Sequence, residues 1–352
     1  KKMFELSPLI QPAEMLKIMS LLKNSKRIVL FGHRGPDGDA IGSNLGWAEY
    51  LRKLGKNVTI VMPDMEPDFL RWMPNVQYIK HYCEEGERVE IRNAILTADL
   101  LCFLDFSQYK RLGDQQLIEI LQHSKAKKMV IDHHLDPETE NTDFIISRPK
   151  ASSTCELVFR LVYQLGGYDA MTRSGACCLY CGMMTDTGAF AYNSNEPEIY
   201  MIVSLLLKKN IDKEKIYRNV FYSFSQNRLR FWGFLLCQRL RFLQGGKAAV
   251  IAYSAEDMAT YKFKRGDAEG FVNEPLKVRG CRLSVSLRED TLQQNRIHVS
   301  LRSVDDIPCN VIAKDFFNGG GHLNASGGEL NCSLEEAVTT AEIAFIKYRD
   351  CL

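Results

Sequence analysis

The sequence lacks the features that would assign it to a membrane or secreted class of protein. No apolar run is as long as a membrane-spanning helix, no charged and then apolar leader opens the chain, and no internal repeat or low-complexity tract is present. The formal net charge is only +2 over 352 residues, which is too small to indicate nucleic-acid binding by itself. We therefore expect a cytoplasmic globular protein with no membrane partner, in which any strongly basic surface is local.

A disulfide framework is also not expected. The chain has 11 cysteines, an odd number, and they are scattered through apolar segments, which is typical of reduced thiols in a protein core. Cys178 and Cys181 form a C-x-x-C pair, but no second pair follows at the spacing of a zinc finger. The pair lies in a segment predicted to be helical, beside Leu179 and Met183, so small core residues are favoured over a metal or redox site.

In the first half of the chain, short apolar runs alternate with segments of helical pattern. The runs that predict strands are 27–32, 57–62, 100–105, 127–132 and 144–147. Between the first two runs, residues 40–54 carry apolar side chains at helical spacing, with Asp39 predicted as the N-cap and Gly55 as the C-terminal stop. This alternation predicts an α/β domain with a mainly parallel sheet flanked by helices, which binds its ligands at the carboxyl ends of the strands.

The rest of the chain is predicted to contain a helical linker and a smaller second α/β domain. Its strands are predicted at 247–253, 281–288 and 296–302, and its helices at 309–317 and 334–348. The stretch 208–247 is rich in Lys and Arg and is either a solvated helix face or a wall that attracts phosphate. We expect a first domain over residues 3–205, a linker over 206–244 and a second domain over 245–352.

Carboxylate and imidazole side chains end several elements of the first domain. They are His33, Asp37, Asp39, Asp105, Asp132, His133, His134 and Asp186. Each of them alone would be read as a cap, turn or packing residue. Gathered at one edge of a sheet without cations, however, the carboxylates would repel one another, and metal ions would remove this repulsion. Oxygen and imidazole ligands suit two divalent cations, and such a pair suggests phosphate chemistry.

The same residues carry a resemblance to a known family. The ordered set His33-x-x-Pro-Asp37-Gly-Asp39-Ala-x-Gly-Ser43, Asp105, Asp132-His133-His134 and Asp186 resembles the motifs of the DHH phosphoesterases. The later Gly319-Gly320-Gly321-His322-x-Asn324-Ala325-Ser326-Gly327 resembles the signature of the associated DHHA1 domain. Each motif alone is weak, but the ordered set is specific and covers nearly the whole chain. Its layout is most similar to the bacterial nanoRNase subgroup, which degrades very short oligonucleotides and dephosphorylates pAp (adenosine 3′,5′-bisphosphate).

The resemblance implies a role for each of these side chains. It implies His33 and Asp37 as ligands of one ion, Asp39, His133 and Asp186 as ligands of the other, and Asp105 as a ligand of both. The family usually works with Mn²⁺, and Mg²⁺ suits the same ligand types. His134 would contact the scissile phosphate or protonate the leaving oxygen, and Asp132 would orient a ligand histidine.

The second domain would bind the substrate. Three successive glycines allow backbone N–H groups to face an anion, and the outward-facing Arg302 could bind a phosphate with two hydrogen bonds. The predicted substrate-binding residues are Arg302, Gly320, Gly321, His322, Asn324 and Ser326. The segment 152–154 is either a capping box with Glu156 or a further contact to the substrate.

The predicted activity is metal-dependent hydrolysis of di- to roughly pentanucleotides of RNA or DNA to 5′-mononucleotides, with pAp, which would yield AMP, as a further candidate substrate. One alternative is a cyclic-dinucleotide phosphodiesterase, since related members of the family cleave such molecules. Others are a manganese inorganic pyrophosphatase, which would resemble only the N-terminal half, and a nucleotide-binding sensor that no longer cleaves. A homodimer, formed through an apolar helix face such as residues 200–207, is also open.

Overall fold

The chain folds as two units, and the boundary between them falls after Ser223. This computed structural model describes residues 6–135, 137–138, 140–264 and 266–352. Within these residues each unit is built on a six-stranded sheet. The predicted α/β class, with a mainly parallel first sheet and a smaller second α/β unit, is confirmed.

The sheet of the first unit is parallel throughout, with the strand order β3-β2-β1-β4-β5-β6. Its strands are β1 (Arg27–Phe31), β2 (Asn57–Met62), β3 (Ile79–His81), β4 (Leu100–Leu104), β5 (Lys127–Asp132) and β6 (Phe144–Ser147). The helices of the unit are α1 (Pro12–Asn24), α2 (Gly38–Lys53), α3 (Glu85–Thr97), α4 (Gln115–His123), α5 (Thr154–Gln164), α6 (Arg173–Asp186), α7 (Pro197–Leu207) and α8 (Lys213–Phe221). Apolar residues on the two faces of the sheet belong to separate core clusters, so both faces are covered.

Helices α2 and α6 pack closely because glycines line the contact between them. A β-carbon added at Gly42 would lie 2.5 Å from the carbonyl oxygen of Cys178, and one added at Gly182 would lie 3.0 Å from the carbonyl oxygen of Gly38. Larger side chains would push these helices apart. Cys178 and Cys181 are buried free thiols on α6 within this core.

The second unit has a mixed sheet with the strand order β11-β12-β10-β9-β8-β7, in which only the β8–β9 pair is parallel among the described strands. Its strands are β7 (Leu240–Leu243), β8 (Ala248–Tyr253), β9 (Leu283–Glu289), β10 (Arg296–Ser303), β11 (Gly320–Gly321) and β12 (Ala325–Asn331). Its helices are α9 (Gln226–Phe234), α10 (Ala255–Thr260), α11 (Cys309–Phe316) and α12 (Leu334–Lys347). Side chains alternate between the two faces of β10, so that Val299 and Leu301 lie in the core beneath α11 and α12 and Arg302 lies on the other face.

Three arginines of the basic stretch 208–247 are used within the second unit. Arg228 is buried, donates to the Glu269 carbonyl at 2.8 Å and lies over the ring of Phe224. Arg239 pairs with Asp257 at 2.7 Å, and Arg241 pairs with Glu342 at 2.8 Å. These three side chains therefore support the fold rather than forming a wall that attracts phosphate.

Among the described helices, none combines the length and the apolar character needed to cross a membrane.

Candidate metal centre

Three of the predicted ligands follow neighbouring strands of the first sheet. His33 follows β1, Asp105 follows β4 and His133 follows β5, and these strands are parallel neighbours. Because the carboxyl ends of parallel strands meet at one edge, the three side chains lie close together, and all three are buried. Asp105 adopts a φ of +67°, a left-handed conformation that is uncommon for a residue other than glycine and that often marks a functional site.

The other three predicted ligands are placed by helices α2 and α6. Helix α2 begins at Gly38 because Asp37 caps it: Oδ1 of Asp37 accepts hydrogen bonds from the N–H groups of Asp39 and Ala40, at 3.0 and 2.9 Å. The prediction that Asp39 is the N-cap is therefore wrong, and the Asp39 side chain turns inward, fully buried. Asp186 is the last residue of α6, and the close packing of α2 on α6 brings it to the same edge.

Asp105 lies between two groups of side chains. Its Oδ2 is 3.3 Å from Nε2 of His33, and Oδ2 of Asp37 is 3.8 Å from the same nitrogen. Its Oδ1 is 3.6 Å from Nε2 of His133, a nitrogen that also has Asp186 at 3.3 Å and an oxygen of Asp39 at 3.7 Å. In the sets His33–Asp37–Asp105 and Asp39–Asp105–His133, the ligand atoms all lie within 4.8 Å of one another. The structure thus brings the six predicted ligands together, with Asp105 shared between two sets.

Backbone carbonyl groups orient both imidazoles of this cluster. Nδ1 of His33 lies 2.9 Å from the carbonyl oxygen of Arg34, and Nδ1 of His133 lies 3.2 Å from that of Ala151. A proton on each Nδ1 therefore directs the lone pair of Nε2 towards the carboxylates, as in histidines that bind metals. Nε2 of His33 is buried and has no hydrogen-bond partner among the described residues, and a cation would satisfy it. The donor set therefore fits a divalent metal.

The charges of the cluster perturb its pKa values. Burial, together with repulsion by Asp105 and Asp186, raises the pKa of Asp39 well above its usual value. Burial also raises the pKa of Asp186 to about 7, with repulsion by Asp37 and Asp105 adding to it and the nearby His133 opposing it. Burial alone would lower the pKa of His133, but the neighbouring carboxylates raise it overall. The metal-free cluster therefore holds protons that a cation would replace.

A second pair of side chains lies beside these ligands. Oδ1 of Asp132 accepts hydrogen bonds from Nδ1 of His134 at 2.8 Å and from its backbone N–H at 3.1 Å. Burial alone would raise the pKa of Asp132, but the hydrogen bond from His134 lowers it overall. Asp132 was expected to orient a ligand histidine, whereas in the structure it orients His134, and Ala151 orients His133. The His134 side chain is 25% exposed, so a substrate could reach it.

The first turn of α5 contacts two of the predicted ligands, Asp39 and Asp105. These contacts were not predicted from the sequence. The N–H groups of Thr154 and Cys155 donate to the two oxygens of Asp39, at 2.6 and 2.8 Å. The Thr154 hydroxyl donates to Oδ1 of Asp105 at 3.0 Å. The available signal was the position of this polar segment just after β6, at the same edge of the sheet.

The segment 152–154 was predicted to be either a capping box with Glu156 or a contact to the substrate, and the structure bears on the first of these interpretations. Ser153 is the N-cap of α5, since its hydroxyl accepts the N–H of Glu156 at 3.0 Å. The Glu156 carboxylate reaches back to the N–H and hydroxyl of Ser152, both at 2.7 Å, so a variant of the predicted capping box is present.

The predicted substrate-binding residues lie in the second unit. Gly320 and Gly321 form β11, which pairs with β12, so these glycines belong to a sheet edge rather than to a mobile turn. Asn324 donates to the Ser303 hydroxyl and to the Asp305 carbonyl, both at 3.0 Å, and Ser326 donates to the His322 carbonyl at 2.8 Å. In this structure the side chains of Asn324 and Ser326 thus stabilise the shape of the glycine-rich segment.

The chain is similar to known proteins in both sequence and fold. The model of the DHH family, N-terminal domain, matches residues 27–183. A solved structure of an exopolyphosphatase-related protein from Bacteroides fragilis is 43% identical, with a TM-score of 0.91 and coverage of 98% of this chain and 99% of that one.

Two curated relatives extend the comparison. The bifunctional oligoribonuclease and PAP phosphatase NrnA of Bacillus subtilis is 26% identical over 320 residues, which are 90% of this chain and 92% of that protein. The cyclic-di-AMP phosphodiesterase PdeA of Listeria monocytogenes is 25% identical over 324 residues, 89% of this chain but 46% of that protein. From its motifs, its fold and these matches, the chain belongs to the DHH family of phosphoesterases.

Proposed function

We propose that this protein is a two-metal phosphoesterase that hydrolyses very short oligonucleotides to 5′-mononucleotides and dephosphorylates pAp. The observation that carries the proposal is the pair of ligand sets that share Asp105 at the carboxyl ends of parallel strands. The choice of substrate is supported by the similarity to an NrnA protein over 92% of that protein's length.

The metal ligands in this proposal are the six residues of the cluster. His33 and Asp37 would hold one ion, Asp39, His133 and Asp186 would hold the other, and Asp105 would be shared by both sets. When bound there, divalent ions lower the pKa of water and neutralise the charge of a phosphate. Carboxylate oxygens with a minority of imidazole nitrogens favour Mn²⁺, with Mg²⁺ as the alternative.

His134 and Asp132 act on the leaving group. The 2.8 Å hydrogen bond to Asp132 fixes the orientation and the tautomer of His134, so its Nε2 is the nitrogen that can give a proton to the leaving oxygen. The carboxylate of Asp132 stabilises the protonated imidazole before that transfer, as an aspartate does for a catalytic histidine elsewhere.

The second unit supplies the groups that bind the remainder of the nucleotide. Arg302 binds a phosphate through its guanidinium group, and Gly320, Gly321 and His322 contact the terminal phosphate or base. Asn324 and Ser326 hold this segment in shape. We propose a catalytic domain over 3–205, a linker over 206–244 and a substrate-binding domain over 245–352.

A cyclic-dinucleotide phosphodiesterase is the second candidate function. It is favoured by the similarity to PdeA, although this chain matches only 46% of that protein. Both candidates use the same ligand sets, so the choice between them depends on the substrate.

The test is a panel of substrates incubated with the purified protein and Mn²⁺, with products separated by chromatography. The panel holds pApA, pAp, cyclic di-AMP, a long RNA, pyrophosphate and polyphosphate. Mononucleotides from pApA and AMP from pAp support the proposal, while turnover of cyclic di-AMP alone supports the second candidate. Phosphate released only from pyrophosphate or polyphosphate, or tight binding without any product, would overturn both. Asp105→Asn is the matched variant, and it should retain the fold and lose all of these activities.

A further inference from the structure

We propose that Thr154 is a positioning residue, which holds the shared carboxylate of Asp105 in the orientation needed to bind the second ion, the one that Asp39, His133 and Asp186 would hold. This inference rests on the proposed function, because it assigns Asp105 as a ligand of both ions. It concerns a residue outside the predicted ligand set, at the start of a helix that lies far from Asp105 in the sequence.

The contact is specific and fully buried. Thr154 has no exposed surface, and its hydroxyl oxygen lies 3.0 Å from Oδ1 of Asp105. A hydroxyl has a single proton to donate, so this bond commits it to the carboxylate. The neighbouring N–H groups of Thr154 and Cys155 donate to Asp39. One helical turn therefore holds two carboxylates of the set Asp39–Asp105–His133.

The two oxygens of Asp105 have different surroundings. Oδ2 faces Nε2 of His33 at 3.3 Å, and Oδ1 faces Nε2 of His133 at 3.6 Å and also accepts the Thr154 bond. Rotation of an aspartate carboxylate about its last torsion is soft, so this bond restricts the plane in which the two oxygens lie. The Thr154 hydroxyl is uncharged and therefore does not repel a cation bound to Asp105. A lysine or arginine at this position would repel it.

Capping of α5 does not explain the presence of Thr154. The N-cap is Ser153, whose hydroxyl accepts the N–H of Glu156. The Thr154 hydroxyl makes no bond to the backbone of its own helix among the described contacts. Its removal should therefore alter the ligand cluster more than the helix.

Three variants separate a positioning role from a structural one. Thr154→Val keeps the shape of the side chain and removes the hydroxyl, whereas Thr154→Ser keeps the hydroxyl. Thr154→Ala also removes the hydroxyl, with a smaller side chain, and replaces the valine variant if that variant does not fold. Ser25→Ala is the matched control, because Ser25 is also buried in the first unit and its hydroxyl donates to the carbonyl of Leu21 rather than to a ligand.

The measurement is binding of Mn²⁺ to the metal-free full-length protein by titration calorimetry. Electron paramagnetic resonance of the same samples distinguishes single Mn²⁺ ions from coupled pairs. Removing a group that orients a ligand typically weakens metal binding by ~10- to 100-fold, and we expect a loss of this size for the second ion in Thr154→Val and Thr154→Ala. Thr154→Ser and Ser25→Ala should bind like the wild type, and the melting temperatures of the metal-free proteins report on the fold.

Unchanged Mn²⁺ binding in both Thr154→Val and Thr154→Ala would overturn the inference, as would equal losses in Thr154→Ser. A wild type that binds two ions but hydrolyses no phosphoester would overturn the proposed function and leave the positioning role standing. A wild type that binds no ion pair would overturn both.

Discussion

Gly182→Ala should disturb the fold and the metal centre together. The added β-carbon would overlap the Sγ of Cys155, and it would lie 3.0 Å from the carbonyl oxygen of Gly38 and 3.1 Å from the α-carbon of Asp39. Cys155 is fully buried and cannot move aside into solvent. The substitution therefore pushes α6 away from the first turns of α5 and α2, and the first turn of α2 carries the predicted ligand Asp39.

The magnitude follows from two opposing effects. Overpacking a tight core costs ~1–3 kcal/mol, and the overlap with Cys155 favours the upper end of that range. Alanine gains ~1 kcal/mol over glycine in a helix interior. The net loss in the free energy of unfolding is thus ~2 kcal/mol, which corresponds to a fall of ~4–8 °C in Tm for a unit of this size. Gly86→Ala in α3, where an added β-carbon meets nothing within 4 Å, should cause no loss.

A double-mutant cycle with Cys155→Ala locates the strain. Removing Sγ relieves the overlap at residue 182, so the double variant should be more stable than the sum of the single effects by ~1–2 kcal/mol. Gly46→Ala is the matched comparison: its β-carbon would lie 2.5 Å from Cδ2 of Leu179, a contact that Cys155→Ala leaves in place. Chemical denaturation of all variants gives the energies, and calorimetry gives Mn²⁺ affinity. Strict additivity of Gly182→Ala and Cys155→Ala, or equal effects of Gly182→Ala and Gly86→Ala, would refute this reasoning.

Two further outcomes are expected at the metal centre. Because burial raises the pKa of Asp186 to about 7, a proton occupies this ligand at lower pH, and Mn²⁺ affinity should fall by ~10-fold for each pH unit below 7 from this group alone. Calorimetry between mildly acidic and neutral pH checks the sign, and an affinity that does not change with pH would contradict it. Asp132→Asn should lower kcat by ~10²- to 10⁴-fold, because His134 loses the carboxylate that stabilises its protonated form, while Mn²⁺ affinity stays unchanged. An equal loss of Mn²⁺ affinity would instead place Asp132 among the ligands.

The strands of the first sheet were predictable wherever the apolar run was long enough. The predicted runs 57–62, 127–132 and 144–147 coincide with β2, β5 and β6, whereas β3 has only three residues and leaves no such pattern. The strand β12 was missed because its sequence, which has two glycines, Ser and Asn and no β-branched or aromatic residue, resembles a loop. Its pairing with β10 overrides that local preference.

The candidate ligands were predictable from their positions after strands, but the contacts that orient them were not. Asp37 and Asp39 are equally good caps by sequence, and the choice between them depends on the N–H groups of Thr154 and Cys155, which accompany Asp39 only in the folded chain. The hydroxyl of Thr154 meets Asp105 across 49 positions of sequence. Such pairings come from the packing of α5 against the sheet edge, which local patterns do not encode.

The left-handed backbone of Asp105 determines how an inactive form of this protein should be made for capturing a bound nucleotide. Alanine rarely adopts a φ near +67°, so Asp105→Ala would disturb the turn after β4 as well as remove a ligand. Asparagine tolerates that conformation and retains an oxygen that can accept the bond from Thr154. Asp105→Asn is therefore the appropriate choice for co-crystallisation, because a change in nucleotide binding can then be attributed to the altered carboxylate rather than to a distorted turn.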